Sequence, residues 1–295
     1  MTGDGTNDAV ALRKADVGIA MGSAAASDVA REVGDLLILN DDIGAIVGVL
    51  EVGRGAFYTI RKTIAYTMAH AVPELVPSFC FILFDLPIML PSLLILVVDL
   101  LTEQMPAVSF VYDAQERTIM QEPPRNLRTE RLIDANLVLY SYGLVALLES
   151  LACVGAFFLY MAAKGYPASA LLYQRAFWAA PPAEAAGALA GGVASYFFTL
   201  VLCQAAVHAY SAKTLRASLG EYPWWRNRLT NYGVLFALGV ALLVIFPLQG
   251  ALFGTGGEMS YWVSWVLWLL FAALFLPLME AVKYCARRGW TRGFP

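Results

Sequence analysis

Six apolar segments, each long enough to cross a lipid bilayer, dominate this sequence. A helix of about 20 residues spans the roughly 30 Å of hydrocarbon in a membrane. Such segments lie near residues 64–84, 88–110, 135–162, 189–211, 230–249 and 262–282. The composition agrees, because 59% of the residues are hydrophobic and only 15% are charged. We therefore expect a mainly α protein, a six-helix transmembrane bundle that contacts membrane lipid. The net charge of −3 gives no reason to expect nucleic acid as a partner.

Basic side chains concentrate on one side of these segments. They lie in the links after the second and fourth spans and in the tail: Arg117, Arg125, Arg128, Arg131, Lys213, Arg216, Arg226, Arg228, Lys283, Arg287, Arg288 and Arg292. The other side carries only Lys164 and Arg175. Since cytosolic loops are enriched in Lys and Arg, both chain ends are predicted to lie in the cytosol. Residues 164–192 are then predicted to form an exofacial loop.

Three carboxylates interrupt the first two apolar segments. Asp99 and Glu103 are four residues apart, so a helix places them on one face. Glu74 lies between Pro73 and Pro77, which cannot donate backbone hydrogen bonds and are expected to free carbonyl oxygens. Acids at bilayer depth are costly unless a cation or water meets them. Carboxylate and carbonyl oxygens suit a hard cation, so this hairpin is a candidate ion site.

The first 50 residues are not membrane-like. A Gly/Asp/Asn loop is followed by the helix-like AVALRKA, the strand candidate DVGIAMG, the helix-like ASDVAREVG and a second strand candidate, DLLILND. Alternating strands and helices predict an α/β sheet. The chain opens at the loop itself, so no strand is expected before it, and the segment is interpreted as a truncated α/β fragment.

Several motifs carry a family resemblance. TGDGTNDAVALRKADVGIAMG resembles the hinge segment of P-type cation-transporting ATPases, whose usual form is TGDGxNDxPALKxAdiGiAMG; Val10 stands where that family usually has Pro. IAYTMAHAVPELVP and VVDLLTEQMPAVSFVYDAQERTIMQEPPR extend the resemblance over about the first 130 residues. The chain is most similar to the branch of the sodium/potassium and proton/potassium pumps.

The resemblance implies a division of the chain. Residues 1–50 would be the end of a haloacid-dehalogenase-like phosphorylation domain, 51–63 a stalk, 64–284 the six-span cation-transporting domain and 285–295 a cytosolic tail. Asp4 would ligate Mg²⁺, and Asn7 and Asp8 would organise the phosphate site. The family's phosphorylated Asp lies in a DKTGT motif, which is absent here. The chain alone is therefore not expected to hydrolyse ATP, and we expect an upstream region or a separate N-terminal catalytic half as its partner.

The resemblance also assigns candidate ion ligands. Glu74, Asp99 and Glu103 fall on positions that bind the transported ion, and the side-chain oxygens of three further residues could join them: Thr102, Gln104 and Gln204. Thr102 and Gln104 could instead form helix–helix hydrogen bonds.

Three other positions in the spans bear on which ion is transported. His70 could act as a counter-charge or proton carrier, or could be a packing histidine. Glu149 could pair across helices or tune the site. Val207, next to His208, replaces an acid of the third Na⁺ site of the sodium/potassium pump, which makes transport of three Na⁺ doubtful.

The function expected from these features is ATP-driven transport of a monovalent cation at the plasma membrane. Na⁺, K⁺ and H⁺ all remain open. In the sodium/potassium branch the loop before the fourth span docks a β subunit, so a β-type partner stays possible, although residues 164–192 do not resemble that docking segment closely. The alternative is a non-catalytic, ATPase-derived membrane subunit or fragment. A secondary transporter is disfavoured because it would leave TGDGTND without a purpose.

Overall fold

The computed structural model describes residues 1–22, 26–40, 42–113, 119–121, 123–124, 131–179, 181–214, 218–220, 225–245 and 261–288. The chain divides into two compact units, one of residues 1–56 with 118–122 and the other of residues 57–117 with 123–295. The topology prediction used Arg117, Arg125, Arg128, Arg216 and Arg292, which lie outside the described residues.

The N-terminal unit contains a small parallel sheet. Its strands lie in the order β1 (Thr2–Gly3), β2 (Ile19–Met21) and β3 (Leu36–Ile38), with helices α1 (Ala9–Lys14) and α2 (Asp28–Val33) in the connections. The predicted alternation of strands and helices is thus confirmed. The Ser27 side chain accepts a hydrogen bond from the Val29 amide and caps α2.

One expectation about this unit is wrong. The chain was predicted to begin directly at the Gly/Asp loop, but Thr2 and Gly3 form a strand that pairs with Ile19 and Ala20. The Ile19 amide also donates to the Met1 carbonyl at 2.8 Å. A strand of only two residues is stable here because its backbone N–H and C=O groups form hydrogen bonds with the unpaired edge of the neighbouring parallel strand.

The second unit is a helical bundle. Its long helices are α3 (Gly44–Phe84, of which residues 57–84 belong to this unit), α4 (Ser92–Tyr112), α5 (Ala135–Ala163), α6 (Ala183–Ser211), α7 (Arg228–Ile245) and α8 (Tyr261–Arg287). All six are long and apolar enough to cross a membrane. The prediction of a mainly α, six-helix transmembrane bundle is confirmed.

Helix α6 begins earlier than predicted. Ala183 is its first residue, so the last third of the predicted loop 164–192 is helical. Two short helices, Ala168–Leu171 and Arg175–Ala179, occupy part of the remainder. Pro182 has an extended backbone and precedes a run rich in alanine, the residue with the highest helix propensity. The loop prediction gave too much weight to glycine and proline and too little to alanine.

Helix α3 continues through both of its prolines. Pro77 has no N–H to give the Pro73 carbonyl one turn earlier. The Tyr196 hydroxyl of α6 donates to that carbonyl instead. The expectation that the prolines leave free carbonyls for an ion is therefore wrong for Pro73, whose oxygen is used to join α3 to α6.

Three of the membrane helices contain π-helical segments: Val98–Glu103 in α4, Leu139–Val145 in α5 and Leu202–His208 in α6. Such segments are uncommon and often occur at functional sites. The α4 and α6 segments contain four of the candidate site residues identified from sequence, namely Asp99, Thr102, Glu103 and Gln204.

Buried polar contacts join several helices at one end of the bundle. Asp113, just after α4, pairs with Lys62 of α3 at 2.8 Å and with Lys213, just after α6, at 3.4 Å. Asn227, just before α7, donates to the same carboxylate at 2.7 Å. At the start of α5, Asp134 pairs with Arg61 at 2.7 Å. Four helices thus meet at a single buried acid, Asp113.

Candidate ion site inside the helical bundle

Three carboxylates from two helices converge inside the bundle. Glu74, Asp99 and Glu103 each place an oxygen within 4.8 Å of the others. Glu74 is 7% exposed and Glu103 is 5% exposed, while Asp99 is half-buried. We call this group the acid triad. Negative charges this close repel strongly where little water screens them, so the arrangement favours a bound cation or proton.

Local structure explains how α4 supplies two members of the acid triad. Asp99 and Glu103 both lie in the π-helical segment Val98–Glu103. Thr102, between them, is buried, and its hydroxyl donates to the Val98 carbonyl at 3.1 Å. The structure thus gives Thr102 a hydrogen bond within its own helix rather than across helices.

Gln104 does not join the acid triad. Its side chain is exposed, whereas Glu103 beside it is buried. Successive residues of a helix point about 100° apart, so the neighbour of an inward residue turns away from the interior. The sequence-based inclusion of Gln104 among the ion ligands is not supported by this placement.

Gln204 of α6 is a buried amide without an evident partner. It is 2% exposed, and neither its Oε1 nor its Nε2 has a hydrogen-bond partner within the described residues. Its backbone carbonyl accepts a hydrogen bond of 3.5 Å from the Tyr66 hydroxyl. Since buried polar groups are usually paired, an unpaired amide in the bundle is available to a ligand.

A second buried cluster joins the three helices α3, α5 and α6. His70 Nε2 of α3 lies 3.0 Å from His208 Nδ1 of α6, and Glu149 Oε1 of α5 lies 4.0 Å and 3.4 Å from those two nitrogens. All three residues are 0% exposed. We call this group the histidine cluster.

The histidine cluster and the acid triad are in contact. His70 Nδ1 lies 3.4 Å from Glu103 Oε1. The Tyr66 ring packs edge-on to His70 with centroids 4.2 Å apart, and Phe275 of α8 packs against His208 at 5.8 Å. Aromatic rings therefore cover the histidine pair while His70 reaches toward the acids.

Sequence reasoning found His70 and Glu149 separately but did not group them, and it noted His208 only as a neighbour of Val207. The available signal was composition. The chain has two histidines, and both fall in apolar segments, where a polar side chain is unusual.

The N-terminal loop places its polar residues differently. Asp8 Oδ2 accepts hydrogen bonds from the Asp4 and Gly5 amides at 3.3 Å and 3.1 Å, so Asp8 shapes the loop. The Asp4 and Asn7 side chains are exposed at the end of β1. A Cβ on Gly3 would lie 2.6 Å from the Asp8 Cβ, which explains why glycine is needed there.

The loop provides the small number of protein ligands that a magnesium site requires. Mg²⁺ usually keeps several water or phosphate ligands and takes only one or two carboxylates. The exposed carboxylate of Asp4 meets that requirement. Among the residues described here, the loop holds no group of three acidic, cysteine or histidine ligands.

Six helices that are long and apolar enough to cross a membrane, with carboxylates in the interior of their bundle, define a multi-pass membrane protein. Residues 87–285 match the model of the family described as "Cation transporting ATPase, C-terminus". The chain belongs to this family, the P-type cation-transporting ATPases, and corresponds to their C-terminal part.

Individual relatives agree with this assignment. The chain is 40% identical over 178 residues to sodium/potassium-transporting ATPase subunit alpha-1 of Anguilla anguilla and to subunit alpha-2 of Gallus gallus. It is 39% identical over the same length to subunit alpha-2 of Homo sapiens. These matches cover 60% of this chain and 17% of each relative. The chain thus spans about a sixth of the length of the relatives it matches.

Proposed function

We propose that this chain is the membrane portion of an ATP-driven pump for a monovalent cation, and that the acid triad binds the transported ion. The observation that carries the proposal is the convergence of Glu74, Asp99 and Glu103, each with an oxygen within 4.8 Å of the others. Three carboxylates at this depth are unfavourable without a cation, and their oxygens are the ligands that hard ions prefer.

Two further side chains extend the proposed site. The amide of Gln204, which has no hydrogen-bond partner within the described residues, supplies a neutral oxygen, and Thr102 retains hydroxyl lone pairs after donating a hydrogen bond to the Val98 carbonyl. His70, 3.4 Å from Glu103, is placed to act as a counter-charge or proton carrier for the same site. Na⁺, K⁺ and H⁺ are the candidate cargoes.

The energy source is proposed to act through the N-terminal unit. In this proposal Asp4 contributes a carboxylate to Mg²⁺, Asn7 and Asp8 organise the phosphate site, and Mg²⁺ neutralises phosphate charge when it is bound. The phosphorylated Asp and the ATP site are supplied by an upstream region or a separate catalytic half. Helix α3 contains Glu74 and begins at Gly44, so a change at its N-terminal end can reach the acid triad along one continuous helix.

The setting of the pump is part of the proposal. The chain would lie in the plasma membrane with both ends in the cytosol, residues 1–50 belonging to the phosphorylation domain, 51–63 to the stalk, 64–284 to the transport domain and 285–295 to the tail. A β-type subunit is part of the proposed assembly, since the relatives named above are α subunits by name.

The test is cation-stimulated phosphorylation in the full-length assembly, with Na⁺ and K⁺ titrated separately at fixed pH. We expect Asp99→Asn to raise the half-saturating cation concentration by about tenfold or more, equivalent to roughly 1.4 kcal/mol of binding free energy. Glu184→Gln is the matched control, because Glu184 is an exposed acid at the start of α6.

The same assay also distinguishes the proposed pump from the alternative, a non-catalytic membrane subunit. Unchanged cation dependence in Asp99→Asn would remove the acid triad from the transport site. A complete lack of phosphorylation in every assembly that contains the unaltered chain would favour a non-catalytic, ATPase-derived membrane subunit instead.

A further inference from the structure

The histidine cluster has the donor set of a transition-metal site. It offers two imidazole nitrogens and one carboxylate oxygen, contributed by His70, His208 and Glu149. Imidazole nitrogen suits Zn²⁺, Cu²⁺, Ni²⁺ and Fe²⁺, whereas Na⁺, K⁺ and Mg²⁺ prefer oxygen ligands alone. The chemistry of this cluster therefore differs from that of the acid triad, which contains only carboxylates.

The distances between the three donor atoms match one small ion. They are 3.0, 3.4 and 4.0 Å. Zinc binds nitrogen and carboxylate oxygen at about 2.0–2.2 Å, which in tetrahedral geometry separates neighbouring ligand atoms by about 3.3–3.5 Å. A single ion can thus reach all three donors with small side-chain adjustments.

Hydrogen bonding alone leaves the histidine cluster incompletely satisfied. One hydrogen bond joins the two imidazoles, but neither oxygen of Glu149 has a hydrogen-bond partner within the described residues, and Glu149 is 0% exposed. A buried carboxylate without donors is costly. A divalent ion held by this oxygen and the two rings would remove the cost.

Glu103 completes the arrangement from outside. His70 uses Nε2 toward the cluster, and its Nδ1, which forms no hydrogen bond within the described residues, lies 3.4 Å from Glu103 Oε1. Histidines that bind metals usually donate their second N–H to a carboxylate, which fixes the ring and raises its basicity. The charges of Glu149 and Glu103 would together balance those of a divalent ion.

We propose that His70, His208 and Glu149 form a binding site for a divalent first-row transition-metal ion, for which Zn²⁺ is the best fit, separate from the acid triad. A bound ion would join α3, α5 and α6, and Glu103 would be shared between this site and the acid triad. The site goes beyond the proposed pump function, because it requires neither ATP nor transport.

The experiment uses the purified full chain in lipid nanodiscs, without a histidine tag, and Co²⁺ or Zn²⁺ alone as the probe. We expect one equivalent of Co²⁺ to give the intense visible bands of a low-coordinate site with nitrogen ligands, and Zn²⁺ to displace it. His208→Gln and Glu149→Gln should abolish the bands. Glu103→Gln should weaken binding by about 10–100-fold, as expected for an outer partner of a metal-binding histidine.

Asp99→Asn is the matched control, because it alters the acid triad and leaves all three proposed ligands in place. Its Co²⁺ bands should be unchanged even though its cation dependence in the pump assay shifts. Failure of one assay therefore does not imply failure of the other. If His208→Gln and Glu149→Gln retain the wild-type bands, or if wild-type Co²⁺ shows only weak bands of a six-oxygen site, the proposal is overturned.

A second measurement avoids variants that fail to fold. X-ray absorption at the zinc edge of the loaded wild-type chain detects imidazole ligands by their multiple scattering. Since the chain has two histidines, two imidazoles per zinc would identify this site without any substitution. A spectrum without imidazole scattering would contradict the proposal independently of the cobalt result.

Discussion

Pro77 and Tyr196 are connected by a single backbone oxygen. Pro77 cannot donate to the Pro73 carbonyl, and the Tyr196 hydroxyl takes the place of the missing N–H. Tyr196 is 0% exposed, so water cannot substitute for it. In a membrane interior an unpaired carbonyl finds no water to bind. The carbonyl that Pro77 leaves unpaired therefore needs the Tyr196 hydroxyl as its donor.

We expect Tyr196→Phe to destabilise the bundle modestly. It removes one hydrogen bond and leaves a buried acceptor unpaired, while the ring volume stays the same. Interhelical hydrogen bonds in membrane proteins contribute on average about 0.6 kcal/mol and at most about 1.7 kcal/mol, so a loss of about 1 kcal/mol is expected. The measurement is unfolding in mixed micelles. Tyr142→Phe, at an exposed position of α5, serves as the control and should change little. Equal stabilities for both variants would argue against the Tyr196–Pro73 bond.

Part of the candidate site could be predicted from individual residues of the sequence. Glu74, Asp99 and Glu103 were identifiable because a charged residue in an apolar segment needs an explanation. Their neighbours were not, because His70 and His208 are 138 positions apart and only the fold brings them to 3.0 Å. Gln104 shows the opposite case: it is adjacent to Glu103 in sequence, yet its side chain is exposed while that of Glu103 is buried.

Within the described part of the chain, α5 and α6 make an extensive packing contact. Small residues on α6 permit it. A Cβ on Gly191 would lie 2.7 Å from Tyr160 Cε1 and closer still to the Tyr160 hydroxyl, and a Cβ on Gly192 would lie 3.0 Å from Met161 Sδ. Close approach of this kind is the usual way in which membrane helices gain packing energy, since lipid removes most of the hydrophobic drive for association.

Comparing Gly191→Ala with Gly187→Ala should distinguish the contribution of helix packing to stability from that of helix propensity. Gly191→Ala adds a methyl group where Tyr160 already stands, and such overpacking costs about 1–3 kcal/mol. Gly187→Ala on the same helix meets no atom within 4 Å, and we expect it to be neutral or to stabilise by up to about 1 kcal/mol, because alanine favours helices over glycine. Thermal unfolding of both variants in nanodiscs is the measurement. A gain in stability for Gly191→Ala would show that α5 and α6 are not in close contact there.

The elements themselves were predictable where a single physical rule governs them. Apolar length determined the six helices, and alternation of strand and helix patterns determined the sheet. The start of α6 and the π-helical segments were not predictable, because they depend on how α6 packs against α5 and on which residues face the interior. Periodicity rules assume a regular helix and contain no signal for an inserted residue.

At the scale of the whole bundle, the buried carboxylate of Asp113 connects four helices. Asp113 contacts Lys62, Lys213 and Asn227, so it joins the middle of α3 to the end of α4, the end of α6 and the start of α7. Burial lowers the pKa of the Lys213 ammonium, and the Asp113 carboxylate counters that effect by favouring the charged form. Two ammonium groups share this one carboxylate, so loss of Asp113 removes the counter-charge of both lysines.

We expect Asp113→Asn to be the most destabilising of these single substitutions. It leaves Lys62 and Lys213 without their carboxylate, and removal of one partner of a buried ion pair costs about 3–5 kcal/mol. Lys213→Met is the matched control: it removes a charge of the same network but keeps the Lys62–Asp113 pair, so its cost should be about 1 kcal/mol or less. Unfolding in mixed micelles compares the two, and the double variant should be more stable than Asp113→Asn alone because one uncompensated ammonium is gone. If Lys213→Met were as damaging as Asp113→Asn, Asp113 would not be the centre that holds this end of the bundle together, and the stability would instead depend on the Lys213 side chain.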